Sequence, residues 1–478
     1  INKIVKNFRN LNFDWKSILK LKEQKPEIFF ENNHIARDEG SMKKINKGQI
    51  FWKRAKKIIP GGNMFLSKRP QLFLPGKWPT YFKRAKGCEI WGFDDIKYLD
   101  MSLMGVGTNI LGYAHPEVDL SVKKTIEKGN MSSLNCTEEV YLSERLIKLH
   151  PWADMVKLTR SGGEANAVAI RIARAATKKQ KIAVCGYHGW HDWYLAANLN
   201  KKKNLQKHLL PDLEINGVPK SLKNSVFTFD YNDLDTLKKI LKEQDIAAVK
   251  MEVSRNEKPK NNFLKEVRRL TQSKGILLIF DECTSGFREN YGGLHLTYNV
   301  TPDIAIFGKA LGNGYAINAI IGKKNVMNYA QTSFISSTFW TERIGPSAAL
   351  KTLEVMEREK SWKIITKIGS NIRSRWQKIA DSNKIKILNW GLPALTGFTI
   401  LNKNELACRT FITQEMLNKG YLAGNCIYVS TKHTPEIIDG YFDVLNEVFK
   451  TLSNCQNDEE ILNLIKGGVC ETNFKRLT

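Results

Sequence analysis

The sequence predicts an α/β protein built on a large, mostly parallel sheet with helices on both faces, followed by a smaller α+β domain. Three observations carry this. Five short apolar runs alternate with helix-like segments, as in sheets whose strands are buried on both faces. Each run ends in polar or glycine-rich chemistry, at the strand ends where open α/β sheets bind ligands. Beyond Pro346 the alternation stops and the chain changes character.

Residues 1–41 are polar, rich in Asn and Lys and interrupted by Pro26, and read as an N-terminal extension. From Lys43 to Ile59 apolar residues recur among lysines as an amphipathic helix, stopped by Pro60-Gly61-Gly62. Tyr81 to Asp100 alternates like a hairpin, with turns at Gly87 and at Asp94-Asp95. Met104 to Gly112 is rich in small residues and, with His115-Pro116, forms a loop before a helix over Val118 to Gly129.

The first strand-like run, Met155 to Leu158, leads into Thr159-Arg160-Ser161-Gly162-Gly163. Ala165, Val168, Ala169, Ile172, Ala173 and Ala176 then mark one face of a helix. Ile182 to Cys185 ends in Gly186-Tyr187-His188-Gly189, Ile246 to Met251 ends at Glu252, and Gly275 to Phe280 ends at Asp281-Glu282. The fifth run, Ile304 to Phe307, stops at Gly308, presents Lys309, and enters a flexible turn, Gly312-Asn313-Gly314. A helix over Ala348 to Lys360 and an Ile/Lys-rich helix precede Gly391, where the small domain starts. The expected organisation is therefore an extension (1–41), an N-terminal segment that joins the small domain (42–110), a large domain (111–345) and a small C-terminal domain (346–478).

Composition narrows the function. The formal charge is +26, from 74 basic and 48 acidic side chains in 478 residues. The excess is spread along the chain, with clusters such as Lys178-Lys179 and Lys201 to Lys203 in expected loops and no nucleic-acid module around them. A solvated surface, with anionic substrates as a second contributor, explains it better than nucleic acid. A non-enzymatic basic binding protein is the remote alternative; it predicts neither the strand-end pattern nor Lys309. No run reaches the ~18 consecutive apolar residues of a membrane span. The opening Ile1 to Lys6 is no secretory signal. Eight cysteines without CxxC pairs or zinc spacing read as reduced thiols of a cytoplasmic protein.

The strand-end residues suggest one chemistry. A lone lysine after an apolar strand either snorkels to solvent or is desolvated enough to lose its proton and condense with an aldehyde. Ser161-Gly162-Gly163-Glu164 opens a helix, as either a phosphate cup or an ordinary glycine loop with an N-cap serine. Tyr187 offers a ring that stacks on a flat heteroaromatic or packs in the core. His188 and His191 lie beside it without the carboxylates that would argue for zinc. Asp281, a carboxylate at the end of an apolar strand, needs a cation: either a protonated pyridine nitrogen or an arginine such as Arg288. Phosphate cup, stacking ring, carboxylate for a ring nitrogen and lysine for an aldehyde together make the inventory of a pyridoxal 5'-phosphate (PLP) site.

These residues resemble the class III (ornithine/ω-type) aminotransferases of PLP-dependent transferase fold type I, and among them the glutamate-1-semialdehyde 2,1-aminomutase branch. The resemblance covers about residues 42–470. It rests on Tyr81–Trp91 (YFKRAKGCEIW), Met155–Ala165 (MVKLTRSGGEA), Ile170–Ala175 (IRIARA), Tyr187–Gly189, Asp281–Arg288 (DECTSGFR), Pro302-Asp303 and Lys309. It implies that Lys309 is the Schiff-base lysine and Asp281 the partner of the pyridine nitrogen. Cofactor contacts are implied for Ser161, Gly162, Gly163 (where Thr is usual), Tyr187, His188, Glu252 and Cys283, which stands where a Val commonly packs on the ring. Ser337 and Thr338 resemble the segment that reaches the neighbouring subunit's phosphate, implying an obligate homodimer with shared active sites. The implied activity is amino transfer between a small-molecule amino donor and a carbonyl acceptor, with an intramolecular 2,1-aminomutase as the alternative.

Departures from the aminomutase pattern are Val253 where Pro is usual, the transaminase-like Gly312–Tyr315, and Met64–Arg69 after Pro60–Asn63. Tyr187–Trp193 (YHGWHDW) and Ser337–Arg343 (STFWTER) are similar to aminomutase-like enzymes of surface-polysaccharide pathways.

Overall fold

Alternation of apolar and polar residues makes Phe82–Lys86 (β1), Glu89–Gly92 (β2) and Lys97–Met101 (β3) an antiparallel meander, turning at Gly87 (φ 62°) and Asp95 (φ 65°). This computed structural model describes residues 47–201 and 203–472. The 1–41 extension lies outside the described residues. The first helix is described from Lys47 to Ile58.

The large sheet has seven strands: Met155–Thr159 (β4), Lys181–Cys185 (β5), Val226–Thr228 (β6), Ile246–Glu252 (β7), Leu277–Glu282 (β8), Ile304–Phe307 (β9) and Asn318–Gly322 (β10). Their order is β4-β10-β9-β8-β7-β5-β6. All neighbours run parallel except β10, which is antiparallel to both β9 and β4. The five expected strands form. The two unanticipated ones, β6 and β10, are short, and only the 3-10 turn Lys309–Gly312, with no α-helix, separates β9 from β10.

Period-two alternation sends side chains to opposite faces. Ile182 and Val184 pack with Ala165, Val168, Ala169 and Ile172 of the Gly162–Thr177 helix. Ala183, Val249, Met251 and Phe280 pack on the other face, with the helices Leu234–Glu243 and Phe263–Ser273. Every residue of β7 is buried, Lys250 included. Covered on both sides, the sheet leaves only its strand ends for polar chemistry.

Ile387–Leu392 (β11), Leu395–Ile400 (β12), Tyr421–Ala423 (β13) and Cys426–Tyr428 (β14) complete the strands. β11, β12 and β14 form an antiparallel sheet, while β13 adds to β3 in parallel. Gly391 lies inside β11. Its φ of 87° and the Leu395 carbonyl, 2.2 Å from where a Cβ would stand, explain why the position is glycine. Met104–Gly107 is a single helical turn within the expected loop, with Gly105 (φ 65°) and Val106 (φ 62°) left-handed. Among the described residues no helix is long and apolar enough to cross a membrane.

Candidate active site

Because β4, β5, β7, β8 and β9 run the same way, their carboxyl ends share one edge of the sheet. β9 ends at Phe307, and a Cβ on Gly308 would stand 2.1 Å from Asn318 Nδ2, so only glycine fits there. Lys309 follows in the left-handed region (φ 42°), and its Nζ donates to Thr284 Oγ1 at 2.8 Å. Burial pushes the Lys309 pKa down to about 8, with Arg255 and Arg288 adding to the effect. The residue as a whole is half-buried. The turn after it is not flexible. Asn313 accepts from Leu111 N (2.9 Å) and donates to Gly112 O (3.0 Å), fixing the turn to the 109–112 segment.

Asp281 ends β8 in register with Glu252 of β7. Its Oδ1 accepts from Cys283 N (3.1 Å), and its Oδ2 lies 2.9 Å from His188 Nδ1 and 3.7 Å from Lys250 Nζ. Burial alone would raise the carboxyl's pKa; Lys250 and the His188 contact outweigh it and hold the group well below the usual carboxylate range. Arg288 is not its partner. That guanidinium donates to the backbone carbonyls of Thr284 and Gly107.

Ser161 caps the Gly162–Thr177 helix in a capping box: its hydroxyl accepts from Glu164 N (3.4 Å), and Glu164 Oε2 accepts from Ser161 N (2.9 Å). This is the ordinary capping role, and it keeps the N–H groups of Gly162 and Gly163 at the positive end of a 16-residue helix. A Cβ on Gly163 would stand 2.8 Å from His191 Cε1, so the Thr usual there has no room unless the imidazole moves. His191 Nδ1 is itself buried without a hydrogen-bond partner among the described residues.

Tyr187 N donates to Glu252 Oε2 (3.1 Å), and Glu252 Oε1 pairs with Arg255 Nη1 (3.2 Å). The Arg255 guanidinium lies 5.9 Å from the Tyr187 ring centroid. A cavity of about 490 Å³ beside them is lined by Gly186, Tyr231, Glu252 and Arg255. Cys283 Sγ lies 3.4 Å from Asn318 Nδ2. Ser337 and Thr338 stand apart. Both are exposed, and among the described residues no hydrogen bond joins either to Gly162, Gly163 or Lys309.

Residues 75–435 match the family model for class-III aminotransferases. The chain belongs to the class III aminotransferase family. It is 35% identical over 360 residues to a 3-aminobutyryl-CoA aminotransferase of Cloacimonas acidaminovorans, covering 73% of this chain and 82% of that one. It is 33% identical over 362 residues to a glutamate-1-semialdehyde 2,1-aminomutase of Methanothrix thermoacetophila, covering 74% and 81%. Among solved structures, the PLP internal aldimine form of the FumI protein of Sphingopyxis sp. MTA144 superposes with a TM-score of 0.76 at 22% identity. That match covers 87% of this chain and 99% of the other, and shows PLP-dependent transferase fold type I.

As a class III aminotransferase the protein is a PLP-dependent enzyme. The residues present fit that cofactor. A helix N-terminus with an unpartnered imidazole suits its phosphate, an ionised buried carboxylate suits its ring nitrogen, and a desolvated amine suits its aldehyde. Four residues of this aminotransferase edge are absent from the sequence-based inventory: Lys250, Arg255, Thr284 and Asn318. Lys250 carried a signal, as a charge inside an apolar run two residues before Glu252. Thr284 and Asn318 are small polar residues whose place emerges only when β8, β9 and β10 pair.

Proposed function

We propose that the protein moves an amino group from a small-molecule amino donor to a separate carbonyl acceptor. The observation that carries this is the joining, on one sheet edge, of a lysine with a lowered pKa and a carboxylate held ionised by the buried Lys250 ammonium and a hydrogen bond from His188. Lys309 would hold the cofactor's aldehyde carbon, Asp281 its ring nitrogen, Tyr187 a ring face, and Gly162 and Gly163 its phosphate. His188, Glu252 and Cys283 support that shell, through the Asp281 carboxylate, the Tyr187 amide and the loop after β8. When bound, the group supplies an electron-poor ring that accepts the charge left when a substrate C–H bond breaks. Lys309 Nζ takes that proton as general base and returns it as general acid, a role suited to a pKa near 8. Thr284 orients the amine through its hydroxyl.

The position of Asn313 favours transfer to a second molecule. Hydrogen-bonded to the 109–112 segment, the turn after the lysine forms one unit with its neighbour, in keeping with the transaminase-like Gly312–Tyr315. The Tyr187–Trp193 and Ser337–Arg343 patterns suggest an acceptor from surface-polysaccharide or amino-sugar metabolism. Eight unpaired cysteines fit a reducing cytoplasm. Half-transamination tests the reading: single amino donors should bleach the visible band of the lysine-bound cofactor, and keto acids or keto sugars should restore it. Conversion of an amino-aldehyde with no added acceptor, alongside a band that no donor bleaches, would identify an intramolecular aminomutase instead.

We also propose that the active site is shared within a homodimer. Phe334 (88% exposed) and Phe339 (70%) flank Ser337 and Thr338 and present apolar surface that a second copy would cover. Arg160, the residue before Ser161, holds this segment through Trp340 O (2.9 Å) and Glu342 (2.7 Å). In the dimer Ser337 and Thr338 of one copy would add to the Gly162-Gly163 cup of the other. Mixing inactive Lys309→Ala with inactive Thr338→Trp should then restore activity on subunit exchange, since each heterodimer carries one intact site. If exchange is confirmed by mass and no activity returns, Thr338 serves its own subunit or no site at all.

A further inference from the structure

Lys250 is a buried ammonium that none of the roles above uses. It lies in mid-strand on β7 with no exposed surface, and its Nζ has no hydrogen-bond partner among the described residues. Its alternation matches that of Glu252, and its Nζ reaches Asp281 Oδ2 at 3.7 Å, too long for a hydrogen bond. A charge left this way in the core costs several kcal/mol unless a counter-charge holds it.

The groups facing it are Asp281, Glu252, Cys283 and His188. Glu252 is already paired with Arg255, and burial keeps the Cys283 thiol protonated by raising its pKa. Burial, and then Lys250 itself, lower the His188 pKa, so the imidazole is neutral. With Nδ1 donating to Asp281, its Nε2 faces the Cys185 carbonyl at 3.1 Å and adds no charge. One carboxylate and one ammonium therefore balance in a sealed compartment. A pyridinium at Asp281 would bring a second cation to the same carboxylate, and like charges at short range in a poorly solvated site disfavour each other.

We propose that Lys250 is the stand-in cation for Asp281, charged while the carboxylate lacks a ring nitrogen to pair with and neutral once one is bound. The Nζ–H bond breaks and its electron pair stays on Nζ, while the proton passes by way of the Asp281 carboxylate to the ring nitrogen, whose lone pair forms the new N–H bond. The compartment keeps the same total charge. Lys250 is thus a positioning residue that keeps Asp281 ionised for the ring nitrogen and gives up its charge when that nitrogen arrives. This rests on the reading of Asp281 as that nitrogen's partner.

The test is ¹⁵N NMR of the holoenzyme loaded with ring-¹⁵N PLP, followed over pH in wild type, Lys250→Met and Lys250→Arg. The ring nitrogen should be protonated in wild type at neutral pH. Because the lysine is already neutral beside a bound ring, Lys250→Met should leave the ring nitrogen protonated over the same pH range as wild type. Lys250→Arg, whose charge cannot be given up, should shift the ring toward neutral pyridine. Three coincident titrations would overturn the role of Lys250. So would a neutral ring in wild type beside a protonated one in Lys250→Met, because the lysine then keeps its proton. A ring nitrogen neutral in all three would instead remove the reading of Asp281. If neither variant folds, ¹⁵Nζ-lysine labelling of the unmutated protein decides: one buried signal should move from ammonium to amine on loading. A signal that stays at the ammonium position sinks the proposal.

Discussion

Lys309→Ala should abolish turnover while leaving the protein folded and able to take up the cofactor without a covalent bond. The loss should be at least ~10⁴-fold, about 5.5 kcal/mol of barrier, if one amine both holds the cofactor and moves the proton as proposed. The visible band should vanish, and borohydride, which should fix a pyridoxyl label on Lys309 in the wild type, should label nothing. A label on another lysine in the wild type would move the centre elsewhere. The wild type should also capture the cofactor in a pH-dependent way. Only the neutral amine attacks, and the lysine's pKa is lowered to about 8. Capture should therefore rise about tenfold per pH unit below that value and level off above it. Capture that still rises tenfold per unit through pH 9 would show that the amine is not desolvated as the structure has it.

Asp281→Asn keeps the size of the side chain and removes its charge. The expected fall in turnover is on the order of 10²- to 10³-fold, or about 3–4 kcal/mol, because the ring then loses the anion that keeps its nitrogen protonated. Two cations gathered around Asp281 would also lose their counter-charge, Lys250 directly and His188 whenever it is protonated. Stability should fall as well, and the two effects separate by measuring turnover well below the unfolding temperature. Turnover close to wild type would make Asp281 a structural ion-pair partner only.

The reasons why some of this was legible are physical. Strands buried on both faces cannot hide their periodic apolar runs, so the five parallel strands and the polar group ending each could be read directly. Helix capping at Ser161 was visible too, since a Ser three residues before a Glu at the start of an apolar stripe has few other uses. What escaped were relations between strands. Nothing local to Asn318 says that β10 will run antiparallel between β9 and β4 and set its side chain against Gly308 and Cys283. The arginine offered as the alternative partner of Asp281 fails for the same reason. Arg288 is close in sequence and chemically suited, but it turns to backbone carbonyls, while Lys250 reaches the carboxylate across a strand pair. The rigidity of the 312–314 turn depends on a segment some 200 residues earlier, and its glycines alone suggest the opposite.

The addition of β13 to β3 also bears on how the chain comes off the ribosome. Leu99 pairs with Tyr421, so the edge of β3 waits for more than three hundred residues of synthesis before its last neighbour emerges. At roughly 5–20 residues per second that wait is some tens of seconds. β4 waits too, since its only partner in the sheet, β10, is made about 160 residues later and must enter between two existing strands. For that interval the nascent chain carries open strand edges of the kind that pair with neighbouring chains. Lys97 at the head of β3 and Lys157 within β4 put a charge on each waiting edge. Crowded translation, more than heat, is therefore the condition under which this fold is most exposed.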